Sequence, residues 1–417
     1  MRVVHISNSV SDSSANTKLH RALLQQGVDS IILVLSHNGY NNKIYDLKRN
    51  LFVKILDYVK AKYDEKFHKQ VECTSDMPFS LGDIGYPLYK CELLRSADII
   101  HLHWICGILS IKDIKALEKL NKPIVWTCHD SWPFTGGCHV RYGCSRFTQR
   151  CGECKMIHSM EKDDLSNYIL EKKAKLWKDN NIVLIAPSNW MHDNISNSKI
   201  FCNNQVITIP NTLYTNIYKV YDREETKKLL GYEKKDEKIN ILFGAGNVRV
   251  QYKGYQYLLD TLEHLLHEEQ YADNIVLHIV GGNQGNDKIL SKYECKFWGY
   301  VKESWKMAAL YNIADIMLYP SLDDNLPNMV MESMACATPV VAFDIGGIPD
   351  LIEHKVSGYL AEYRNVEDLL YGLKWIIKNN DDNRIGRKAL DKIRNCFSEE
   401  KIAQEHIALY SRLLSNK

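Results

Sequence analysis

Short runs of Val, Ile and Leu alternate with longer stretches in which apolar residues recur at helical spacing, almost from end to end. The short runs predict strands at 3–7, 30–35, 98–103, 123–128, 182–187 and 206–209 in the first half. In the second half they predict strands at 239–244, 275–280, 296–299, 314–319 and 339–343. Strands that are apolar on both faces and separated by helices suit parallel sheets covered on both sides. The expected fold class is α/β, with two doubly wound Rossmann-like domains and ligands at the carboxyl ends of the strands. The boundary falls between Pro210 and Lys238: an N-terminal domain at 1–212, a charged linker at 213–238, and a C-terminal domain at 239–398. A last helix at about 399–414, with Ile402, Ile407, Leu409, Tyr410, Leu413 and Leu414 as its apolar positions, could pack on either domain.

One stretch breaks the pattern. Residues 47–69 mix Leu, Phe, Val, Ile and Tyr with many Lys and Arg. This reads equally as a surface helix with a solvated basic face or as a helix drawn to anionic headgroups.

Composition narrows the classes. Of 417 residues, 45% are hydrophobic and 25% charged, which are globular proportions and exclude a largely disordered chain. Lys+Arg 53 against Asp+Glu 51 leaves a formal charge of +2, without the basic excess of a nucleic-acid binder. No run approaches the roughly eighteen apolar residues of a membrane span, and the N-terminus reads as a buried strand, not a signal peptide. Twelve cysteines without an export signal point to reduced thiols or a metal site, and so to the cytoplasm.

Chemistry concentrates in residues 320–350. A strand ends at Tyr319, an acidic loop carries Asp324, and a helix begins near Pro327 with Glu332 inside it. A helix N-terminus offers unpaired amides to an anion, and two carboxylates can accept from hydroxyls; phosphate plus polyol describes a nucleotide sugar. The competing reading is an acidic loop capping a helix, with Glu332 merely solvated.

The arrangement of Asp324 and Glu332, the small-residue stretch 333–337, Thr338-Pro339-Val340-Val341, Gly346-Gly347 and Gly358-Tyr359-Leu360 resembles the family 4 retaining glycosyltransferases. Residues 209–218 at the domain junction fit as well. That resemblance implies the GT-B fold, two Rossmann-like domains facing each other across a cleft. It implies that Glu332 holds the donor ribose, that Asp324 touches the transferred sugar, and that the amides of Leu326 and Asn328 meet the diphosphate. Asp324 stands where Glu is usual, and Pro327 where Gly is usual, so the grip on the donor differs in detail. Lys253, in Gln251-Tyr252-Lys253-Gly254, matches the lysine that neutralises the diphosphate. Arg249 is the candidate for an accompanying arginine, with Asn247 as the other occupant of that place. Val301, after Gly299-Tyr300, is expected against the base.

In the first domain the resemblance makes His129 the catalytic histidine near the anomeric centre, with Asp130 beside it on the acceptor side. His101 and His103 also stand at a strand end, where they are expected to alternate faces, so that at most one reaches the cleft, with His103 the candidate. Alone, each would more often be a structural histidine. The first loop, 9–17, contains no glycine where relatives turn on Gly-Gly-Ala, so Ser13, Ser14 and Asn16 are candidates to replace amide contacts. Cys138, Cys144, Cys151 and Cys154 suit a closed structural zinc site bracing the loop after His129, with buried free thiols or disulfides as alternatives. No catalytic metal is implied.

The resulting expectation is a cytoplasmic retaining glycosyltransferase that moves a hexose from UDP-hexose, or GDP-mannose as second choice, to a lipid-linked saccharide acceptor in capsule or lipopolysaccharide synthesis, with residues 47–69 in contact with the inner face of the membrane. The alternatives are a nucleotide-sugar-binding scaffold without turnover, an epimerase or phosphorylase on the same fold, and a zinc-dependent nucleic-acid module.

Overall fold

The computed structural model describes residues 1–35, 43–47, 55–56, 58–59, 62, 78–231, 238–268, 271, 274–282 and 287–416. Most of the basic apolar segment 47–69 lies outside them. The chain divides into two compact units, Met1–Pro210 with Ile402–Lys417, and Asn211–Lys401.

The first unit holds strands β1 (Arg2–Ser7), β2 (Asp29–Val34), β3 (Ile44–Asp46), β4 (Ile99–Leu102), β5 (Ile124–Thr127), β6 (Val183–Ala186) and β7 (Val206–Thr208). They form a seven-stranded sheet in the order β3-β2-β1-β4-β5-β6-β7, every pair parallel. Because side chains alternate along a strand, neighbouring residues feed two different cores. Val4, Ile100 and Leu102 join one, with Trp126, Trp132 and Trp177, while Val3, Ile99 and Val125 join the other. Helices cover both, and several start on side-chain caps: Ser110 forms a capping box with Asp113, and Asp164 and Ser188 accept from backbone amides.

The last helix, Glu399–Ser415, supplies Ile402, Ala403, Leu409 and Tyr410 to the second of these cores. Its packing, left open by its sequence, is therefore on the first unit from Ile402 onward.

The second unit holds β8 (Ile239–Asn247), β9 (Ile275–Gly282), β10 (Glu294–Gly299), β11 (Ile316–Tyr319), β12 (Val340–Phe343) and β13 (Gly358–Ala361), in the order β10-β9-β8-β11-β12-β13, again all parallel. Leu242, Met317 and Val340 face one core; Ile241, Phe243, Ile316 and Val341 face the other. The stretch read as a linker contributes Leu213, Tyr214 and Tyr218 to the first of these and so is part of this unit. β3 and β13 were not expected: β3 is a three-residue edge strand, and β13 is a Gly-Tyr-Leu-Ala run too short to show a period. Among the described residues no helix is long and apolar enough to cross a membrane.

Leu409 is 4% exposed in the first unit's core. Leu409→Ala should cost about 2–5 kcal/mol. Hydrogen exchange should show lost protection within 1–210 and unchanged protection within 239–398; the reverse would contradict this assignment of the helix.

Candidate functional site

In the second sheet the strand order reverses between β8 and β11, and ligands of doubly wound sheets bind beyond the carboxyl ends at such a point. Two loops leave there. The one after β8 ends in a turn at Gln251–Lys253, and the one after β11 carries Asp324 into the helix Asn328–Ala335. Lys253 Nζ lies 2.6 Å from Asp324 Oδ2, which also accepts from the Tyr319 hydroxyl at 2.6 Å. Burial alone would lower the Lys253 pKa, but the Asp324 carboxylate holds it above its ordinary value, so the ammonium is charged. Glycines make the approach possible. A Cβ on Gly254 would stand 1.7 Å from the Pro320 carbonyl oxygen, and one on Gly346 would stand 1.8 Å from that of Asp324. Both also have positive φ. The Gly346-Gly347 turn thus lets the loop after β12 close on the Asp324 backbone.

Glu332 is 4% exposed and accepts from the Tyr311 hydroxyl at 3.1 Å, with Tyr218 a second hydroxyl partner. This overturns the reading of Glu332 as a solvated helix residue. Leu326 and Asn328 flank Pro327, the residue before the helix, where first-turn amides have no acceptor within the helix. Val301 is half-buried against the core that holds Glu332's helix. Arg249 is drawn elsewhere: it pairs with Asp287 at 2.8 Å and lies over the Tyr255 ring, whose hydroxyl donates to the same carboxylate. The structure does not bring it to Asp324.

The first unit collects histidines at the carboxyl-end side of β1, β4 and β5: His5 and His101 within β1 and β4, His103 just past β4 and His129 just past β5. His129 Nε2 lies 3.0 Å from His103 Nδ1, and His103 Nε2 lies 2.9 Å from His5 Nδ1. His101 is held at both nitrogens, by the Tyr410 hydroxyl at 2.7 Å and Thr127 Oγ1 at 2.7 Å. The expectation that His101 and His103 part company fails, because residues two apart on a strand share a face, and their rings lie 4.2 Å apart. Of the two, His103 touches His129 and His101 is structural. Asp130, expected on the acceptor side, is committed to the protein: it takes the Trp132 amide on Oδ1 at 2.9 Å, and the Trp104 indole and His139 on Oδ2.

Ser14 precedes the helix Ala15–Gln25 and ties its own loop, donating to the Ser11 carbonyl at 2.8 Å and meeting Thr17 Oγ1 at 2.8 Å. Asn16 reaches back to the Ser9 carbonyl. Side-chain turns of this kind replace the missing glycines, and no residue of the loop has a positive φ. Cys138, Cys144, Cys151 and Cys154 are free thiols, and burial pushes Cys138 and Cys151 up to about 12. Among the described residues the one set of three His, Cys, Asp or Glu ligand atoms within 4.8 Å of one another is His5, His101 and His103, not the cysteines. A zinc knuckle would need the sulfurs drawn closer together.

Sequence reasoning missed Tyr319, Tyr311, Tyr218 and His5. Tyr319 and His5 stand in predicted strands near the carboxyl end, which was a usable signal; the partners of Glu332 come from distant segments and left none.

Burial holds His129 and His406 down to about 4, and holds His5, His101 and His103 well below their ordinary 6.5. The unfolded chain therefore binds more protons than the folded one below that ordinary value. The stability tied to these neutral rings is whole above about pH 6.5 and is lost as pH falls toward 4, at about 1.4 kcal/mol per group and pH unit. First-unit unfolding should shift to lower denaturant across this window, and His406→Phe should flatten the fall; an unchanged slope would contradict it.

Comparison with known proteins agrees with this geometry. Residues 239–379 match the family described as Glycosyl transferases group 1. An uncharacterized glycosyltransferase of Haemophilus influenzae is 27% identical, covering 76% of this chain and 77% of its own. A putative colanic acid biosynthesis glycosyl transferase of Escherichia coli, WcaC, is 21% identical over 76% of this chain and 75% of its own. Among solved structures, sucrose-phosphate synthase from Thermosynechococcus elongatus superposes with a TM-score of 0.66 at 15% identity, covering all of both chains. Anabaena HepE in complex with UDP-glucose gives 0.64 at 14% identity, again over all of both. The chain has the GT-B fold, and its residues 239–379 are similar to the group 1 glycosyl transferases.

Proposed function

We infer that this chain is a retaining hexosyltransferase that takes a nucleotide diphosphate sugar, UDP-hexose before GDP-mannose, and transfers the hexose to a saccharide acceptor, lipid-linked, in surface polysaccharide synthesis. The observation that carries the reading is the group of Lys253, Asp324 and Tyr319 at the strand-order reversal of the second sheet. A charged lysine set beside the first turn of a helix suits a diphosphate leaving group, whose negative charge grows as the glycosidic bond breaks. Asp324 is then both the anchor of that lysine and an acceptor for sugar hydroxyls. Glu332, buried among tyrosine hydroxyls, has the ribose as its expected ligand. In the first unit, His129 meets the transferred sugar. HepE in complex with UDP-glucose supports a uridine donor, and the name of WcaC supports a polysaccharide setting. In this reading no metal takes part in the transfer.

Thermal melting against UDP-, GDP- and ADP-sugars tests the donor site. One nucleotide class should raise the midpoint, by about 2.7 kcal/mol of stabilisation at a hundred times its Kd. Glu332→Ala and Lys253→Ala should each abolish most of that rise. Binding without transfer or donor hydrolysis would instead favour a scaffold, and no binding by any class would sink the reading. Residues 47–69 would meet anionic headgroups. Vesicle co-sedimentation that survives replacement of their lysines would count against that contact.

A further inference from the structure

The histidines behind His129 form a line of hydrogen bonds, and the arithmetic of protons along it is constrained. A neutral imidazole carries one proton, so one ring nitrogen donates and the other accepts. His5, His103 and His129 are joined by two nitrogen-to-nitrogen contacts, at 2.9 Å and 3.0 Å. Each contact holds a single proton. Three neutral rings carry three protons, so the third must sit at one end of the line, either on His5 Nε2 or on His129 Nδ1. No mixed arrangement satisfies both contacts.

The structure distinguishes the two ends. His5 is fully buried on β1, and its Nε2 has no hydrogen-bond partner. A buried N–H without an acceptor is rarer and more costly than a lone pair without a donor. With His5 Nε2 bare, His5 Nδ1 donates to His103 Nε2, His103 Nδ1 donates to His129 Nε2, and the remaining proton is on His129 Nδ1. The surroundings keep the rings neutral. His101 and His20 lie beside His5 with ring centroids 5.1 Å and 6.3 Å away, His406 and Tyr410 stand behind His101, and the carboxylate next to His129, Asp130, is spent on His139, Trp104 and the Trp132 amide.

We propose that His5 and His103 are positioning residues that hold His129 in its Nδ1–H tautomer, so that His129 meets an oxygen of the transferred sugar as a hydrogen-bond donor and not as a base. The second half of this rests on the reading of His129 as the group that meets the sugar. The tautomer itself does not. It matters chemically because a histidine that donates can stabilise charge on a sugar oxygen but cannot collect the acceptor's proton, which must then leave by another route.

The test uses the full chain labelled with ¹⁵N at histidine, read by long-range ¹H–¹⁵N correlation at pH 7.5 without donor, with His129→Gln assigning the ring. The expected result is a protonated Nδ1 and a bare Nε2 on His129. The opposite pattern overturns the proposal. His5→Leu should release the lock and give His129 a mixed or reversed pattern; an unchanged pattern would show that the chain does not set it. Since a buried histidine can be needed for folding, His103→Asn and His103→Gln form a second pair. Asparagine keeps a donor where Nδ1 stood and should retain the His129 pattern, while glutamine should lose it. With whichever sugar nucleotide stabilises the protein, His103→Gln should lower kcat roughly tenfold or more at nearly constant KM, and His103→Asn should recover most of it. A His129 pattern that is lost in His103→Gln and kept in His103→Asn, with kcat unaltered in both, would remove His129 from the sugar while leaving the lock in place, and so overturn the second half. Zinc found by metal analysis and lost in His5→Leu would replace the hydrogen-bonded line with a metal site and overturn the whole.

Discussion

Parallel pairing is the constraint from which the rest follows. A parallel strand cannot turn back on itself, so each needs a crossover, and all carboxyl ends of a sheet emerge along one edge. Where the order reverses, successive crossovers leave to opposite sides and the loops part. In the second unit that place is between β8 and β11, and it is where Lys253 and Asp324 meet. Their side chains are 23% and 17% exposed, so the pair is shielded without being dry. Either charge alone would be poorly placed, and each holds the other in position. The turn before Gly254 is fastened to the loop after β11 by backbone as well, since the Leu322 amide donates to the Tyr252 carbonyl at 2.7 Å.

The first unit meets the same constraint with a different chemistry. One face of its sheet begins with Val3, Ile99 and Val125 and continues, toward the carboxyl ends, into His5, His101 and Thr127. An apolar face that turns polar while still buried must satisfy its hydrogen bonds internally. The last helix does part of this, since Tyr410 reaches His101 across 309 residues of sequence. The histidines do the rest among themselves. A buried polar group of this size rigidifies what stands on it, here the strand end that carries His129. Lys173 adds a further brace, donating to the carbonyls of Trp132 and Thr135 in the loop that follows.

Several features were legible before any coordinates. Strand positions were, because runs of Val and Ile bounded by turn residues admit few other conformations; the two that escaped were an edge strand and a four-residue run. Asp324, Lys253 and Gly346 were legible through the resemblance, in which acidic, basic and glycine residues stand at fixed spacing, and the structure sets Lys253 on Asp324 and Gly346 against the Asp324 backbone. The linker at 213–238 misled because many of its charged residues lie on the helix Arg223–Leu229 and its cap Asp222, while the aromatic anchors Tyr214 and Tyr218 precede it. Arg249 misled because a nearby arginine is a weak signal: its partner, Asp287, is 38 residues away and nothing local announces it.

By itself, then, the sequence determined the alternation of strand and helix, the break near Pro210, and the loop positions where acidic, basic and glycine residues gather, since these depend on local periodicity and backbone freedom. Only the tertiary structure decided that Glu332 is buried under tyrosines, that the last helix closes the first sheet, and that His5 stands behind His103 and His129. Those facts depend on which distant side chains share a volume, and burial then sets their charge and protonation. A side chain's chemistry is local, but the solvent it has lost is not.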